Sequence, residues 1–335
     1  MSLVSVIIPT FNRANLIGRA IKSVLAQTYR DFELIIVDDG STDDTRQVVA
    51  SFADKRIRYL RHEHNQGQNP ALNTGVRAAK GQFIAFLDSD DEWLPTYLER
   101  VLEVFAQDRT MGMVYTWTCG VSRNGKLVES NYYFHLQGSV YKEALAQGYI
   151  ASMDALVVTR ECIERLGTVP FDPDFVVCQD NDFCLRVAKE FKMGLIKEPL
   201  TIIHSDAGTG TARLITNHAA NAEGWWRLIS KFKADILKEC GRAVLAAHYI
   251  TVAKFSFRAG QIERTRNALA LARHTSPSGK HVIFDTIARA PLLLPASNKT
   301  YELVLKLRNL SGLEPLQRRV QHLVAYLKKG RKCSA

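Results

Sequence analysis

The chain has 335 residues, 46% of them hydrophobic and 23% charged, enough to bury a sizeable core in one large domain or in a domain with an extension. Its six cysteines (Cys119, Cys162, Cys178, Cys184, Cys240 and Cys333) include no C-x-x-C pair, which argues against a zinc ribbon or a disulfide framework. The net charge of +10 is unevenly placed: residues 1–205 carry 22 Lys and Arg against 26 Asp and Glu, and residues 206–335 carry 22 against 8. An acidic part is therefore followed by a strongly basic one, which suits an anionic surface. No charged-then-apolar leader opens the sequence and no uncharged run is long enough to span a bilayer, so a cytoplasmic protein is expected.

Taken in order, Leu3 to Ile8 reads as a buried strand stopped by Pro9-Thr10, and Leu16, Ala20, Ile21, Val24 and Leu25 follow at helical spacing. Phe32 to Val37 is a second strand ending in Asp38-Asp39-Gly40, and Ser41-Thr42-Asp43-Asp44 resembles a capping box before a helix carrying Val48, Val49 and Phe52. Ile57 to Leu60 is a short strand, Pro70 to Lys80 a helix, and Phe83 to Leu87 a strand buried on both faces. This alternation predicts an α/β fold, a mostly parallel mixed sheet with helices on both faces.

Further strands are expected at Met113 to Thr116, in a hairpin around Asn124-Gly125, at Ala155 to Val158, Leu195-Ile196 and Thr201 to Ile203, with a helix at Asp182 to Glu190. After about Ala207 the strand signals fade. Trp225–Leu237, Arg242–Phe257, Ile262–Arg273, His281–Ala290, Tyr301–Leu310 and Leu316–Leu327 show helical periodicity with Lys and Arg on the other face. Two domains follow: residues 1–205, and a basic helical extension over 206–335, with Gly208-Thr209-Gly210-Thr211 as the junction or lid.

The strand Phe83–Leu87 ends in Asp88-Ser89-Asp90-Asp91. Carboxyl ends of strands in an open α/β sheet are where ligands bind, and like charges this close repel unless a hard cation with oxygen ligands joins them. Capping of the next helix explains one or two of these acids. It leaves the rest unexplained, so a divalent cation is expected, and it would in turn attract phosphate.

Val4 to Asn12 (VSVIIPTFN), Val37 to Ser41 (VDDGS) and Phe86 to Trp93 (FLDSDDEW) resemble, in order and spacing, the family 2 glycosyltransferases of GT-A, Rossmann-like fold. The resemblance covers residues 1–205. It implies an inverting transfer of a sugar from a nucleotide-diphospho-sugar, a uridine one, to a hydroxyl acceptor that is a saccharide or lipid-linked. By the same resemblance Pro9, Thr10 and Phe11 line the base and ribose, and Asp39 accepts hydrogen bonds from uracil. Asn65, Gly67 and Asn73 match a further stretch near the nucleotide, with plain loop and helix capping as the equal alternative. Asp88-Ser89-Asp90 matches the D-x-D motif, which implies that Asp90 binds Mg²⁺ or Mn²⁺ and that Asp88 and Ser89 lie near the ribose and metal. His204 falls where related enzymes often place a histidine close to the metal or diphosphate.

Cys178-Gln179-Asp180-Asn181-Asp182-Phe183-Cys184-Leu185-Arg186 resembles the family's E-D-x-D-hydrophobic-x-L-R segment and marks Asp180 as the base that deprotonates the acceptor. Gln179 departs from the usual Glu and removes a charge beside that base. Asp182 is read as a helix-starting acid paired with Arg186 at i,i+4.

In the basic part, Trp225, Trp226, Phe232, Tyr249, Phe255 and Phe257 are read mainly as the core of the helices. Lys231, Lys233, Lys254, Arg258 and the terminal Lys328-Lys329-Gly330-Arg331-Lys332 are read as the charged exterior. That exterior suits a peripheral contact with an anionic membrane at its inner face. Nucleic-acid binding is disfavoured because no recognised module appears. A nucleotidyltransferase and a non-catalytic nucleotide-sugar-fold scaffold are the alternatives, the first disfavoured because Pro9-Thr10-Phe11-Asn12-Arg13 is not a glycine-rich phosphate loop.

Overall fold

The computed structural model describes residues 3–121, 127–130, 135–204 and 217–276, with the backbone alone at 127–130. The Asn124-Gly125 turn, the Gly208–Thr211 segment, the three helices expected after Ala290 or just before it, and the basic terminus lie outside the described residues. Chain contacts divide the protein into two compact units, Met1–Thr216 and Asn217–Ala335.

The first unit opens as its sequence pattern predicts. β1 (Val4–Thr10) and β2 (Phe32–Asp38) are buried along their whole length, as strands covered on both faces must be. They flank α1 (Ile17–Leu25), whose Ile17, Ala20, Ile21 and Val24 all face the core. α2 (Thr45–Ala50), β3 (Ile57–Arg61), α3 (Gln68–Ala78) and β4 (Phe83–Phe86) complete a parallel set in spatial order β3-β2-β1-β4. At the start of α2 the side chain of Asp44 makes no capping hydrogen bond. Asp43 does that work instead, accepting from the Thr45 N–H at 3.0 Å and the Ala14 N–H at 3.0 Å, and so ties the turn after β2 to the turn after β1.

The sheet then continues through antiparallel pairings. β5 (Glu92–Trp93), α4 (Tyr97–Gln107), β6 (Met111–Val121), β7 (Leu127–Ser130), α5 (Tyr141–Gln147), a 3₁₀ turn (Met153–Ala155), β8 (Leu156–Thr159), α6 (Arg160–Leu166), α7 (Gln179–Glu190) and β9 (Lys192–His204) follow in sequence. β8 pairs with β4 and β6, and β9 runs parallel to β6 and antiparallel to β5. The two expected strands at 195–196 and 201–203 are one strand, carried past Pro199 by register shifts opposite Thr116 and Trp117. The hairpin expected around Asn124-Gly125 is the β6–β7 pair, Val121 opposite Leu127.

Two apolar layers flank the parallel strands. One joins Val4, Val6, Ile8, Leu34 and Ile36 to Ile17, Ile21, Tyr97, Val101 and Phe105. On the other, α3 lies so close to β1 that a Cβ on Gly75 would meet the Ile7 Cγ2 at 2.4 Å. Pro9 sits inside β1 without harm: β4 pairs with β1 only from Val4 to Ile7, so the missing N–H falls beyond the end of β4, where the ladder needs no donor. The ends of β1 and β4 thus part at the carboxyl rim.

In the second unit, α8 (His218–Asp235), a π turn (Ile236–Cys240), α9 (Arg242–Arg258) and α10 (Ile262–Thr275) pack in succession. Gly241, at φ +85°, breaks α8 from α9. Leu228, Ile229, Phe232, Tyr249 and Ile250 are buried, Trp226 lies against Tyr249 and Trp225 stacks on His248, while Lys231, Lys233, Lys254 and Arg258 are exposed. Among the described residues no helix is long and apolar enough to cross a membrane.

Candidate active site

The carboxyl rim of the parallel strands gathers the chemistry. After β1, Phe11 is 40% exposed and Asn12 takes the left-handed conformation, φ 53°. Asn12 exchanges bonds with the turn after β2: its N–H donates to Ser41 Oγ at 2.9 Å and its Oδ1 accepts from the Thr42 N–H at 2.8 Å. Thr10 is buried, with an Oγ1 that has no partner.

Asp39 follows β2, its own N–H donating to the Thr10 carbonyl at 2.8 Å. Its carboxylate accepts from the N–H groups of Gln66 at 3.0 Å and Gly67 at 2.7 Å and lies 2.7 Å from His62 Nδ1, whose other nitrogen is 3.0 Å from Thr74 Oγ1. A carboxylate expected to serve a uracil ring is thus holding the 62–67 loop. Gly40, at φ +80°, permits that loop to close, since a Cβ there would stand 2.7 Å from the His64 backbone. Asn65 is exposed on the loop.

Asn73 holds a loop. It is 3% exposed, and its amide donates to the Phe171 carbonyl at 2.6 Å and accepts from the Phe171 N–H at 2.9 Å, so the side chain is turned to the segment before α7. One turn earlier Asn69 donates to the carbonyls of Asp172 and Phe175 at 2.7 and 2.8 Å. These two asparagines fix the segment leading to Asp180.

Beyond β4, Asp88, Asp90 and Asp91 each bring a carboxylate oxygen within 4.8 Å of the others. Ser89 between them is buried. Arg13 stands 3.9 Å from Asp90, and Arg19 donates to the Asp90 carbonyl. Asp154, which sequence reasoning passed over, is 1% exposed in the 3₁₀ turn behind them. Its only signal was an acid directly ahead of an apolar strand. Its carbonyl accepts from Trp93 Nε1–H at 2.7 Å, and its carboxyl lies beside that of Asp91.

Burial pushes Asp88 well above the usual carboxylate range, and the charges of Asp154, Asp90 and Asp180 push it further. Asp91 rises to about 10 through burial and then Asp154, Asp88 and Asp90. A cluster this averse to ionising has the donor chemistry of a hard divalent cation, whose charge reverses the cost.

His204 is not in the cluster. Its backbone N–H donates to Asp91 Oδ1 at 2.8 Å, but its ring faces Glu92, with Nε2 2.7 Å from Oε1. Pairing of β9 with the short β5 directs the ring to Glu92. His204 thus meets the acids through its backbone N–H to Asp91, the third acid of the cluster.

Asp180 stands in the first turn of α7, which begins at Cys178 in a left-handed conformation, φ 64°. Asp180 Oδ1 accepts from the Asn181 N–H at 2.9 Å. Crowding by protein atoms raises its carboxyl to about 6. Asp182, by contrast, is 1% exposed and pairs with Arg186 at 2.8 Å, the structural role expected of it.

Residues 5–155 match glycosyl transferase family 2. Over 194 residues the chain is 44% identical to the UDP-Glc:alpha-D-GlcNAc-diphosphoundecaprenol beta-1,3-glucosyltransferase WfgD of Escherichia coli, covering 58% of this chain and 73% of that protein. The chain belongs to glycosyl transferase family 2. An uncharacterized glycosyltransferase of Nostoc sp. is 37% identical over 180 residues, 51% of this chain and 54% of that one. The chain spans about half of that relative and 34% of an uncharacterized glycosyltransferase of Rickettsia conorii.

Solved structures give the family's fold. Staphylococcus aureus TarS 1-349 in complex with UDP-GlcNAc superposes with a TM-score of 0.64 at 18% identity, over 88% of this chain and 86% of that one. The mannosyltransferase PcManGT of Pyrobaculum calidifontis, in complex with GDP-Man and Mn²⁺, gives 0.51 at 20% identity over 97% and 86%. These likenesses establish the GT-A-like architecture of this family 2 chain.

Proposed function

We propose that this chain is an inverting, metal-dependent glycosyltransferase that moves a sugar from a uridine-diphospho-sugar to a hydroxyl of a saccharide or lipid-linked acceptor, in the assembly of surface polysaccharide or glycolipid. The observation that carries it is the group of Asp88, Asp90 and Asp91 within 4.8 Å at the rim where β1 and β4 part. That rim is where an open α/β sheet binds a nucleotide.

In this proposal Asp90 and Asp88 hold Mg²⁺ or Mn²⁺, with Asp91 beside them. The ion, when bound, supplies Lewis-acid counter-charge to the diphosphate. Arg13, near Asp90 and partly exposed, adds positive charge on the same side. Phe11 offers an exposed ring and Thr10 a hydroxyl for base and ribose, with Pro9 shaping the turn. Asp39 shapes the same pocket by holding Gln66 and Gly67, and Asn65 sits on that loop.

Asp180 takes the acceptor's proton as the acceptor oxygen attacks the anomeric carbon opposite the diphosphate, which inverts the configuration there. A base with a carboxyl near 6 is ionised at neutral pH yet more basic than an ordinary aspartate.

The relative WfgD is named for UDP-glucose and a diphosphoundecaprenol acceptor, which makes UDP-glucose the first donor to test. Chondroitin synthase of Escherichia coli is 39% identical over 132 residues and supports polysaccharide assembly as the setting. A lipid-linked acceptor also agrees with the charge of residues 206–335, which we assign to a peripheral contact with an anionic membrane from the cytoplasmic side. Flotation with anionic liposomes at low and high salt tests that contact. UDP release from UDP-glucose with and without Mn²⁺ tests the activity, and no release from any UDP-sugar would overturn it.

A further inference from the structure

Gln179 is the position at which the chain departs from the glutamate its resemblance leads one to expect, and the fold gives it a partner. Gln68, the first residue of α3, donates from Nε2 to Asp88 Oδ1 at 3.0 Å. Gln179, the first residue of α7, donates from Nε2 to Gln68 Oε1 at 3.3 Å. With a cation bound Asp88 is ionised and only accepts hydrogen bonds, so facing it obliges Gln68 to present its amide nitrogen there and its oxygen to residue 179. Residue 179 must then donate. A glutamate at 179 would set oxygen against oxygen, or turn Gln68 over and set its oxygen against Asp88.

Neighbouring residues make the first turn of α3 a junction. The Gly67 N–H holds Asp39 and the Asn69 amide holds the carbonyls of Asp172 and Phe175. Gln68, between them, joins the acid after β4 to the helix that carries Asp180.

We propose that Gln68 and Gln179 are a mutually dependent pair of positioning residues, which aims the Asp88 carboxylate into the metal and diphosphate site and links it to the start of the helix bearing the base. Gln179 is thus a matched replacement for a carboxylate, and its identity depends on that of residue 68. The inference rests on the metal-binding role proposed for Asp88.

The test measures Mn²⁺ binding to the full chain with UDP present, by the electron paramagnetic resonance signal of free Mn²⁺, with thermal unfolding to establish that each variant folds. Loss of a hydrogen bond that orients a metal ligand costs about 10–100-fold in affinity. Gln68→Met and Gln179→Glu should each weaken Mn²⁺ binding within that range. Gln68→Lys combined with Gln179→Glu, which restores a donor to both carboxylates, should recover most of the loss. A purely structural role would lower the unfolding temperature and would not be repaired by the charge-swapped pair.

If Gln68→Met fails to fold, the isosteric Gln179→Glu and the double variant decide the matter. Binding within about twofold of wild type in Gln179→Glu, or no recovery in the double variant, would overturn the pairing. Wild-type protein that binds no Mn²⁺ would instead overturn the metal site itself.

Discussion

Phe86 and Phe183 meet edge to face with ring centroids 6.1 Å apart, and Phe171 completes the cluster, stacked on Phe183 at 4.7 Å and edge-on to Phe86 at 5.2 Å. Phe86 lies two residues before Asp88 and Phe183 three residues after Asp180. Close packing of buried rings therefore fixes α7 against β4, and with it the proposed base against the proposed metal acids.

Asp180→Asn should retain nucleotide and Mn²⁺ binding while lowering transfer by about 10²–10⁴-fold, the usual contribution of a general base. Turnover and thermal shift measured on the same preparation check this. An unchanged rate would remove Asp180 from the chemistry.

The acid limb of the rate profile follows from the same group. A base works only when deprotonated, and desolvation raises Asp180 to about 6. Transfer should therefore be level above that pH and fall about tenfold per unit below it. A limb near 4, the range of an exposed aspartate, would contradict that environment.

Asn73→Asp keeps the oxygen that accepts from the Phe171 N–H and removes the donor to the Phe171 carbonyl. It should lower stability by about 1–3 kcal/mol, the cost of a buried unsatisfied group, and slow transfer with little change in UDP affinity. If UDP affinity fell and stability did not, Asn73 would be a nucleotide contact after all.

Gly75→Ala places a methyl group against Ile7, a side chain with 0% exposure on a central strand. Overpacking of this kind costs about 1–3 kcal/mol, readable as a lower midpoint in urea. A neutral result would mean that α3 can lift from β1.

The parallel half of the sheet was legible because burial and period agree: β1, β2 and β4 are short apolar runs, the last two ending in acids, and their topology puts those ends on one rim. Motif spacing singled out Asp88, Asp90 and Asp180 as candidates, and the first two stand together with Asp91. The hydrogen-bond partners of Asn73, His204 and Asp39 were not legible, since polar side chains on one rim differ only in which neighbour they face. That is decided by contacts 98 residues apart for Asn73 with Phe171 and 112 apart for His204 with Glu92. Asp154 was missed for the same reason, a single acid in a turn whose burial depends on Trp93 and Thr201 from other strands.

The most direct test of the central claim is thermal unfolding of the wild type and Asp90→Asn with UDP-glucose, UDP and GDP, each with and without Mn²⁺, since a ligand that binds only the folded chain raises its stability. The proposal predicts a Mn²⁺-dependent rise with the uridine ligands in the wild type, and its loss in Asp90→Asn. Equal shifts in both proteins, or a nucleotide response indifferent to Mn²⁺, would contradict it.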